Sequence, residues 1–224
     1  MKTAVVLPIF NEEKKIDEVL LTLSKIKLPV ILVNDGSTDN TLEVIKARIK
    51  NDKRIILISH RINLGKGSAM RTGGEAAFGR GFEAIIFMDA DGQHNSDDLK
   101  KFIEKLDTRK YDVVLGSRNL HHGVPLIRFL GNKFASVLIS VLFGIYVSDI
   151  LSGFRAVTKK GFNKLDLESS GYGVETEMIV KISKYKLKNC EVPVQTIYHD
   201  SHKGVTILDA FGILIDVFRW RLVL

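Results

Sequence analysis

Residues 85–94 read Ile-Ile-Phe-Met-Asp-Ala-Asp-Gly-Gln-His, a short apolar run that ends in two acids. An apolar run of this length before a turn is typical of a strand buried on both faces, so the acids stand at its tip. Because side chains alternate along an extended chain, Asp89 and Asp91 are expected to point the same way, and Gly92 allows the turn that follows. Two such carboxylates repel each other unless they share a cation, and their oxygens suit Mg²⁺ or Mn²⁺. Taken alone, so short a pattern is more often an Asx turn that starts a helix, here at Ser96.

Short aliphatic runs alternate with longer amphipathic segments through the first half of the chain, at residues 4–7, 30–33, 55–58, 84–88 and 113–115. This rhythm predicts an α/β fold with a doubly wound, mostly parallel sheet and helices on both of its faces. In such sheets ligands bind beyond the carboxyl ends of the strands, so the polar loops after these runs are expected to form one site. A chain of 224 residues fits one large domain.

The overall charge and the single cysteine limit the class of protein. The formal net charge of +7 predicts an anionic partner, which is a nucleic acid, a phosphorylated ligand or an acidic membrane surface. Cys190 stands alone, which excludes an intramolecular disulfide and a cysteine-rich metal site and fits a reducing compartment. The apolar stretch near the N-terminus is interrupted by Pro8 and followed by acids, so no signal peptide is predicted and the cytoplasm is expected.

Two apolar segments in the second half predict amphipathic helices. The uncharged run at 134–147 is shorter than the roughly 20 residues that span a bilayer as a helix. Residues 124–146 are therefore expected to form a buried core helix or a helix in the membrane interface, with Arg128 and Lys133 at headgroup level. The tail at 207–221 is apolar over much of its circumference and ends in Trp and Arg, which favours an interfacial anchor over a frayed core helix.

Several smaller motifs have both a structural and a functional interpretation. Asp35 follows a predicted strand, where a carboxylate either closes a capping loop or accepts hydrogen bonds from a nucleotide base or ribose. Gly65-Lys66-Gly67-Ser68 lacks the upstream glycine of a Walker phosphate loop. The histidines lack metal-ligand spacing and are expected at the surface; they are His94, His121 and His122.

Two further pairs of charged residues lie in half-apolar segments. Asp149 and Arg155 fit either a functional site or a structural ion pair, and Glu175 and Glu177 fit either a site or a solvated first helical turn.

Taken together, these motifs resemble those of the family 2 glycosyltransferases, specifically the dolichol-phosphate mannose synthase and polyprenyl-phosphate sugar synthase branch. The matching segments, in order, are Pro8-Ile9-Phe10-Asn11-Glu12, Val33-Asn34-Asp35-Gly36-Ser37-x-Asp39, Asn63-Leu64-Gly65-Lys66-Gly67, Asp89-Ala90-Asp91-Gly92-Gln93, Gly116-Ser117-Arg118 and the segment from Asp149 to Arg155. The resemblance covers almost the whole chain. It implies a single GT-A domain over residues 1–224, in which 1–120 bind the nucleotide sugar and 121–224 face the acceptor and the membrane.

The resemblance also implies roles for individual residues. Those expected at the nucleotide sugar are Pro8, Phe10, Asn11, Glu12, Asp35, Lys66, Asp89, Ala90, Asp91, Gln93, His199 and Lys203. Mg²⁺ or Mn²⁺ is expected at Asp89, Asp91 and Gln93, and the acceptor phosphate at Arg118, Arg128 and Arg155. The catalytic residues are expected to be Asp91, Arg118 and Arg128. The loop at 198–204 departs from the family's pattern.

The implied reaction is inverting transfer of a sugar from a nucleotide-diphosphate sugar, of the GDP-mannose or UDP-glucose type, to a polyprenyl or dolichyl phosphate. The enzyme is expected to be peripheral on the inner face of the membrane, with no nucleic acid partner. A phosphate monoester, with a second pKa of about 6, is already an anion at neutral pH and needs no general base.

Three alternative functions stay open at this point. A family 2 transferase that acts on a soluble sugar or protein hydroxyl would need a base such as Glu175 or Glu177. A nucleotidyltransferase would use a similar sheet and similar metal-binding acids. A non-catalytic membrane-binding module would keep the apolar helices without needing the acids.

Overall fold

A computed structural model of the chain describes residues 1–50, 52–118, 126–195 and 207–223, and leaves the side chains of 126–129, 207–211 and 223 undescribed. The strands are β1 (Thr3–Ile9), β2 (Val30–Asp35), β3 (Ile55–His60), β4 (Ala84–Phe87), β5 (Val113–Arg118), β6 (Arg155–Thr158) and β7 (Asn189–Val194). The helices are α1 (Ile16–Ser24), α2 (Thr41–Ile49), α3 (Lys66–Gly79), α4 (Leu99–Asp107), α5 (Leu126–Phe143), α6 (Lys159–Leu165), α7 (Val174–Lys184) and α8 (Ile207–Val223). A short 3-10 helix at Ser96–Asp98 precedes α4.

The strands of the described residues form one 7-stranded sheet in the order β3-β2-β1-β4-β6-β5-β7. Neighbouring strands are parallel except at β6, which is antiparallel to both β4 and β5. Every apolar run that predicted a strand is a strand, so the mostly parallel sheet is confirmed. Two strands, β6 and β7, lie outside the runs that predicted strands.

Apolar side chains pack against both faces of the sheet. One layer joins the sheet to α3, α5, α6, α7 and α8, through buried residues such as Met70, Ile139 and Met178. The other layer joins the opposite face to α1, α2 and α4, through residues such as Leu20 and Phe102. Helices therefore cover both faces, as predicted.

The reversed direction of β6 decides which loops meet at one edge of the sheet. Because β6 is antiparallel, its first residue, Arg155, lies opposite Phe87, the last residue of β4, and opposite Leu115 of β5. The segment that leads into β6 therefore reaches the same edge as the carboxyl ends of the parallel strands. This is the edge where ligands bind in α/β sheets, and Gly153 of that segment lies next to Asp89 after β4.

Candidate active site

An ion-paired cluster lies at the tip of β4. The Lys66 ammonium is 2.6 Å from Asp89 Oδ1 and 2.6 Å from Glu175 Oε1. Lys66 is the first residue of α3, where the helix dipole disfavours a cation, so the two carboxylates stabilise it there. Burial opposes both charges, yet the ion pairs hold the pKa of Lys66 well above its usual range and the pKa of Asp89 well below its own. Both groups are therefore charged at neutral pH.

The chain encloses Asp89 on its other side. A Cβ atom on Gly153 would lie 2.3 Å from Asp89 Oδ2, so a side chain at this position would require that carboxylate to move. Nε2 of His94 is 3.3 Å from the same oxygen, and the imidazole packs against Phe154 with 4.9 Å between ring centroids. His94 is 8% exposed, so the prediction of a surface histidine is wrong for this residue. Its Nδ1 is buried without a hydrogen-bond partner among the described residues.

Asp91 is the acid of the pair for which the described residues supply no ion-pair partner. Its Oδ1 accepts a hydrogen bond from the Gln93 N–H at 2.9 Å, and none of the ion pairs formed by the described side chains includes it. Gly92, at φ 77°, makes the tight turn between these two residues. Burial, together with the charge of Asp89, raises the pKa of Asp91. A cation brought to this carboxylate would stabilise its ionised form.

The loops after β1 and β2 are joined by hydrogen bonds. The Asn11 N–H donates to Ser37 Oγ at 3.0 Å, and Asn11 Oδ1 accepts from the Thr38 N–H at 2.8 Å. The Glu12 N–H donates to Thr41 Oγ1 at 2.8 Å. Asn11 itself has a left-handed backbone, with φ 52°, which asparagine tolerates better than most residues. These bonds fix the loop that is predicted to hold the nucleotide.

Asp35 is buried at the end of β2, and its carboxylate accepts hydrogen bonds from the segment that leads to α3. Its Oδ1 accepts from His60 Nδ1 at 2.7 Å and from the Leu64 N–H at 2.9 Å, and its Oδ2 accepts from the Gly65 N–H at 2.8 Å. On its far side His60 Nε2 lies 3.0 Å from Thr72 Oγ1. Asp35 therefore helps to position Lys66, and its predicted contact with the nucleotide stays a prediction.

Arg118 ends β5 and is held by a buried carboxylate. Its Nε and one terminal nitrogen donate to Asp149 at 2.6 and 2.9 Å, and its backbone N–H donates to the same side chain at 3.2 Å. The Asp149 side chain is 0% exposed, whereas that of Arg118 is 21% exposed. The fork of hydrogen bonds fixes the plane of the guanidinium at the sheet edge. A partly exposed cation with a fixed plane is suited to bind a phosphate.

The guanidinium of Arg155 binds backbone carbonyls of the site and so stabilises the fold there. It is 1% exposed, and its guanidinium donates to the backbone carbonyls of Ser152, Glu175 and Ile150. Burial lowers its pKa to about 10, although nearby carboxylates oppose that shift. This position corrects the prediction that Arg155 contacts the acceptor phosphate, because its donors bind the backbone of the loop before β6 and of α7.

Neither glutamate of α7 is the solvated helix start that one interpretation predicted. Glu175 is 4% exposed and pairs with Lys66, as described above. Glu177 is 0% exposed and accepts hydrogen bonds from the N–H groups of Glu168 and Ser169 at 2.7 and 2.8 Å. The ammonium of Lys181 lies 2.8 Å from it.

The comparison with known proteins identifies the family to which this arrangement belongs. A family model for Glycosyl transferase family 2 matches residues 4–166. The chain belongs to glycosyl transferase family 2. It is a glycosyltransferase, and the resemblance seen in its motifs is confirmed.

Relatives of this glycosyltransferase match it over nearly its full length. The UDP-N-acetylglucosamine–dolichyl-phosphate N-acetylglucosaminyltransferase of Methanococcus voltae is 32% identical, over 97% of this chain and 95% of its own. The undecaprenyl-phosphate mannosyltransferase of Micrococcus luteus is 27% identical, over 99% of this chain and 95% of its own.

The fold of the glycosyltransferase also matches solved structures. Glucosyl-3-phosphoglycerate synthase from Mycobacterium tuberculosis, in complex with Mn²⁺, uridine-diphosphate-glucose and phosphoglyceric acid, superimposes with a TM-score of 0.69 at 19% identity. The match covers 99% of this chain and 79% of that one. The predicted GT-A fold is confirmed.

The acids of the glycosyltransferase suit a divalent metal that a substrate phosphate would also bind. The described residues contain no group of three metal-ligating His, Cys, Asp or Glu side chains, so a metal would have few protein ligands within that part of the chain. Asp91 supplies a carboxyl group whose pKa is raised by burial and by the charge of Asp89, whereas Asp89 already pairs with Lys66. Mg²⁺ typically binds in this way, through one or two carboxylates together with substrate phosphates. The residues thus fit such an ion, and Asp91 would be its main protein ligand.

Some of the residues predicted for the site lie together and others lie outside the described residues. Lys66, Asp89, Asp91 and Gln93 meet at the tip of β4, and Ala90 lies between the acids. Pro8 lies in β1 and Phe10 directly after it, where it is 41% exposed. Arg128 lies in the first turn of α5, but its side chain is not described, and His199 and Lys203 fall entirely outside the described residues.

Sequence reasoning missed the polar residues that support Asp149. Asn132 of α5 and Ser148 both hydrogen-bond in this region, and Asn132 is 2% exposed. The sequence does contain a signal, because Asn132 is the single amide side chain of a largely apolar helix. An amide is costly to bury unless it is hydrogen-bonded, so a buried position predicts polar partners.

Proposed function

We propose that this glycosyltransferase transfers a sugar from a nucleotide-diphosphate sugar, of the GDP-mannose or UDP-glucose type, to a polyprenyl or dolichyl phosphate at a membrane surface, with inversion at the anomeric carbon. The names of the Methanococcus voltae and Micrococcus luteus relatives, which act on lipid-linked phosphates, support this choice of acceptor.

The observation that carries the proposal is that Glu175 and Glu177, the two candidate general bases, already have partners. Transfer to a hydroxyl needs a group that removes the acceptor proton. Glu175 is paired with Lys66, and Glu177 is enclosed by two N–H groups and by Lys181. Neither is placed to accept a proton from an incoming hydroxyl. A phosphate acceptor removes the need for a base, because it is already anionic above about pH 6.

The chain supplies cationic positioning for the acceptor. Two phosphate-bearing substrates repel each other, so the site must hold the acceptor with positive charge. Arg118 presents a guanidinium that Asp149 fixes in one plane, at the edge of the sheet shared with Lys66 and the acids. Arg128 is the second proposed ligand of the acceptor phosphate. His199 and Lys203 are proposed to contact the donor from the loop before α8.

The acids and Lys66 hold the donor's diphosphate end. A divalent ion bound there would act as a Lewis acid on the leaving diphosphate. Asp91 and the Gln93 region are proposed to hold that ion, with Asp89 contributing through its position beside Lys66. Phe10, Asn11, Glu12 and Asp35 are proposed to surround the nucleotide. The proposed division of the chain has the donor bound by residues 1–120 and the acceptor and membrane by 121–224.

Two adjacent helices support the proposed membrane contact. On α5 the exposed apolar side chains recur with helical spacing, and on α8 they do the same; they are Leu130, Phe134, Val137 and Val141, and Ile215, Phe218 and Leu222. We call these residues the apolar face. The two helices pack against each other, and Arg219 and Arg221 beside the apolar face suit an acidic lipid surface. No helix among the described residues is both long and apolar enough to span a bilayer.

Replacement of Arg118 tests the proposed acceptor site. Arg118→Ala should raise the KM for a prenyl phosphate by at least about tenfold, since a charge-assisted fork contributes about 1.5–3 kcal/mol. Binding of the nucleotide sugar should change little. Arg118→Lys should restore only part of the activity, because it returns the charge without the planar fork. Steady-state kinetics with each substrate varied in turn gives both values. Equal loss of donor and acceptor binding would show that Arg118 does not grip the acceptor.

A further inference from the structure

One buried polar side chain connects α5 with the loop that holds Arg118. Asn132 lies in the second turn of α5 and is 2% exposed. Its Nδ2 donates to the Ser148 carbonyl at 3.0 Å, and its Oδ1 accepts from the Ile150 N–H at 3.1 Å. These two backbone groups flank Asp149, whose carboxylate orients Arg118. Asn132 therefore fixes the chain on both sides of the residue that sets the guanidinium plane.

The same helix carries part of the apolar face. Leu130 is 55% exposed and Phe134 is 65% exposed, and both lie within two residues of Asn132 on the outer side of α5. A helix moves as a rigid element, and rigid elements joined by hydrogen bonds can pass a displacement from one site to another. A change in the seating of α5 would thus reach the backbone at Ser148 and Ile150 directly.

We propose that Asn132 is a positioning residue that couples the seating of α5 on a lipid surface to the alignment of Arg118. Transfer to an acceptor held in a membrane is then faster than transfer to the same headgroup in solution. The inference rests on the proposed function, and adds to it a way in which the membrane regulates the site.

A second contact to the same loop provides a matched control. Glu191 of β7 accepts hydrogen bonds from the Ser148 N–H and Oγ at 2.9 and 2.8 Å, and Ser117 Oγ lies 2.6 Å from Ser148 Oγ. Glu191 supports the loop from the sheet and has no place on α5. Its loss should disturb the loop without cutting the connection to the apolar face.

The test compares two acceptors in the full chain and its variants. Turnover is measured with geranyl phosphate dissolved in buffer and with undecaprenyl phosphate in vesicles of phosphatidylcholine and phosphatidylglycerol, with UDP-N-acetylglucosamine, UDP-glucose and GDP-mannose as donors. The quantity of interest is the ratio of kcat/KM on vesicles to kcat/KM in solution. Asn132→Leu should lower this ratio by at least about fivefold, the lower end of typical coupling between sites. Glu191→Gln should lower both rates and leave the ratio unchanged.

Hydrogen exchange on the unaltered chain gives a measurement that depends on no variant. Peptides that contain Ile150 should exchange more slowly when acidic vesicles are added, because the Asn132 bond to the Ile150 N–H tightens when α5 is seated. The inference is overturned if the ratio is the same in Asn132→Leu as in the unaltered chain, or if exchange at Ile150 does not respond to vesicles. An unaltered chain that uses neither prenyl phosphate overturns the proposed function, and the inference with it.

Discussion

At the scale of the residue, the two acids after β4 have different environments. Asp89 is neutralised by Lys66, whereas burial and the charge of Asp89 raise the pKa of Asp91. A carboxyl whose pKa is raised on folding binds its proton more tightly in the folded chain. Ionisation of Asp91 in the folded chain therefore lowers the free energy of unfolding. This loss is absent below the ordinary pKa of 3.8 and develops as the pH rises through the raised pKa.

Asp91→Asn should therefore raise the Tm in metal-free buffer at pH 7, and this gain should vanish as the pH falls towards about 4. Addition of Mn²⁺ with UDP or GDP should raise the Tm of the unaltered chain and leave that of the variant unchanged. Asp97→Asn, an exposed acid nearby, serves as the control and should give no gain. A variant that is no more stable than the unaltered chain at pH 7 would contradict this view of Asp91.

A second prediction at this scale concerns Lys66, because its ammonium pairs with two carboxylates at once. Lys66→Met should leave Asp89 and Glu175 without their shared cation and lower the free energy of unfolding by about 3–5 kcal/mol. Lys164→Met, at an exposed position of α6, should change it by no more than about 0.5 kcal/mol. Urea denaturation at pH 7 measures both. Similar losses in the two variants would mean that the ion pairs at the tip of β4 contribute little.

The acids at the site are easier to predict from the sequence than the side chains with which they form ion pairs. Asp89 and Asp91 follow a strand whose apolar pattern is unambiguous, and an acid at a strand tip can be predicted from that pattern alone. The pairing of Lys66 with Asp89 and Glu175 depends on three segments that are far apart in the chain. The burial of His94 and Arg155 likewise follows from packing around Gly153 and the start of β6, which no local pattern records.

At the scale of the element, α5 has one side in the core and one side exposed. Ile139 is 1% exposed and belongs to the core, whereas Val141, two residues later, is 77% exposed. The two alternatives for this segment, a core helix and an interfacial helix, thus correspond to two sides of one helix. The lipid contact of the exposed side stays a proposal.

Val141→Asp should reduce binding to vesicles that contain phosphatidylglycerol, because it places a charge in the apolar face, and the Tm should change little. Ile139→Asp should instead lower the Tm strongly, because it buries a carboxylate without a partner. Vesicle sedimentation and thermal unfolding of the two variants separate the effects. Unchanged vesicle binding by Val141→Asp would argue against α5 as the lipid contact.

The antiparallel strand β6 lies, like β7, outside the five apolar runs that predicted strands. It is only four residues long, Arg-Ala-Val-Thr, and it begins with a charged residue, so it lacks the apolar run that marked the predicted strands. Its place between β4 and β5 depends on pairing with strands distant in sequence. Such pairing is set by tertiary packing more than by local preference.

At the scale of the whole molecule, one sheet edge collects the residues for both proposed substrates. Lys66 and the acids lie after β4, and Arg118 lies at the end of β5 with Asp149 beside it. The strands β4 and β5 are separated only by β6, so the proposed donor and acceptor sites are neighbours in the sheet. The division of the chain into a donor half and an acceptor half stays a prediction.

The central claim is that the acceptor is an anionic lipid phosphate which needs no general base. It is tested most directly by product formation from polyprenyl phosphate and from free polyprenol, measured side by side from pH 5 to pH 8 with Mn²⁺ and each candidate nucleotide sugar. The account predicts product from the phosphate alone, with a rate that rises through about pH 6, the second pKa of a phosphate monoester, and then levels. Equal use of the free alcohol, with a rate that does not follow ionisation of the phosphate, would contradict it.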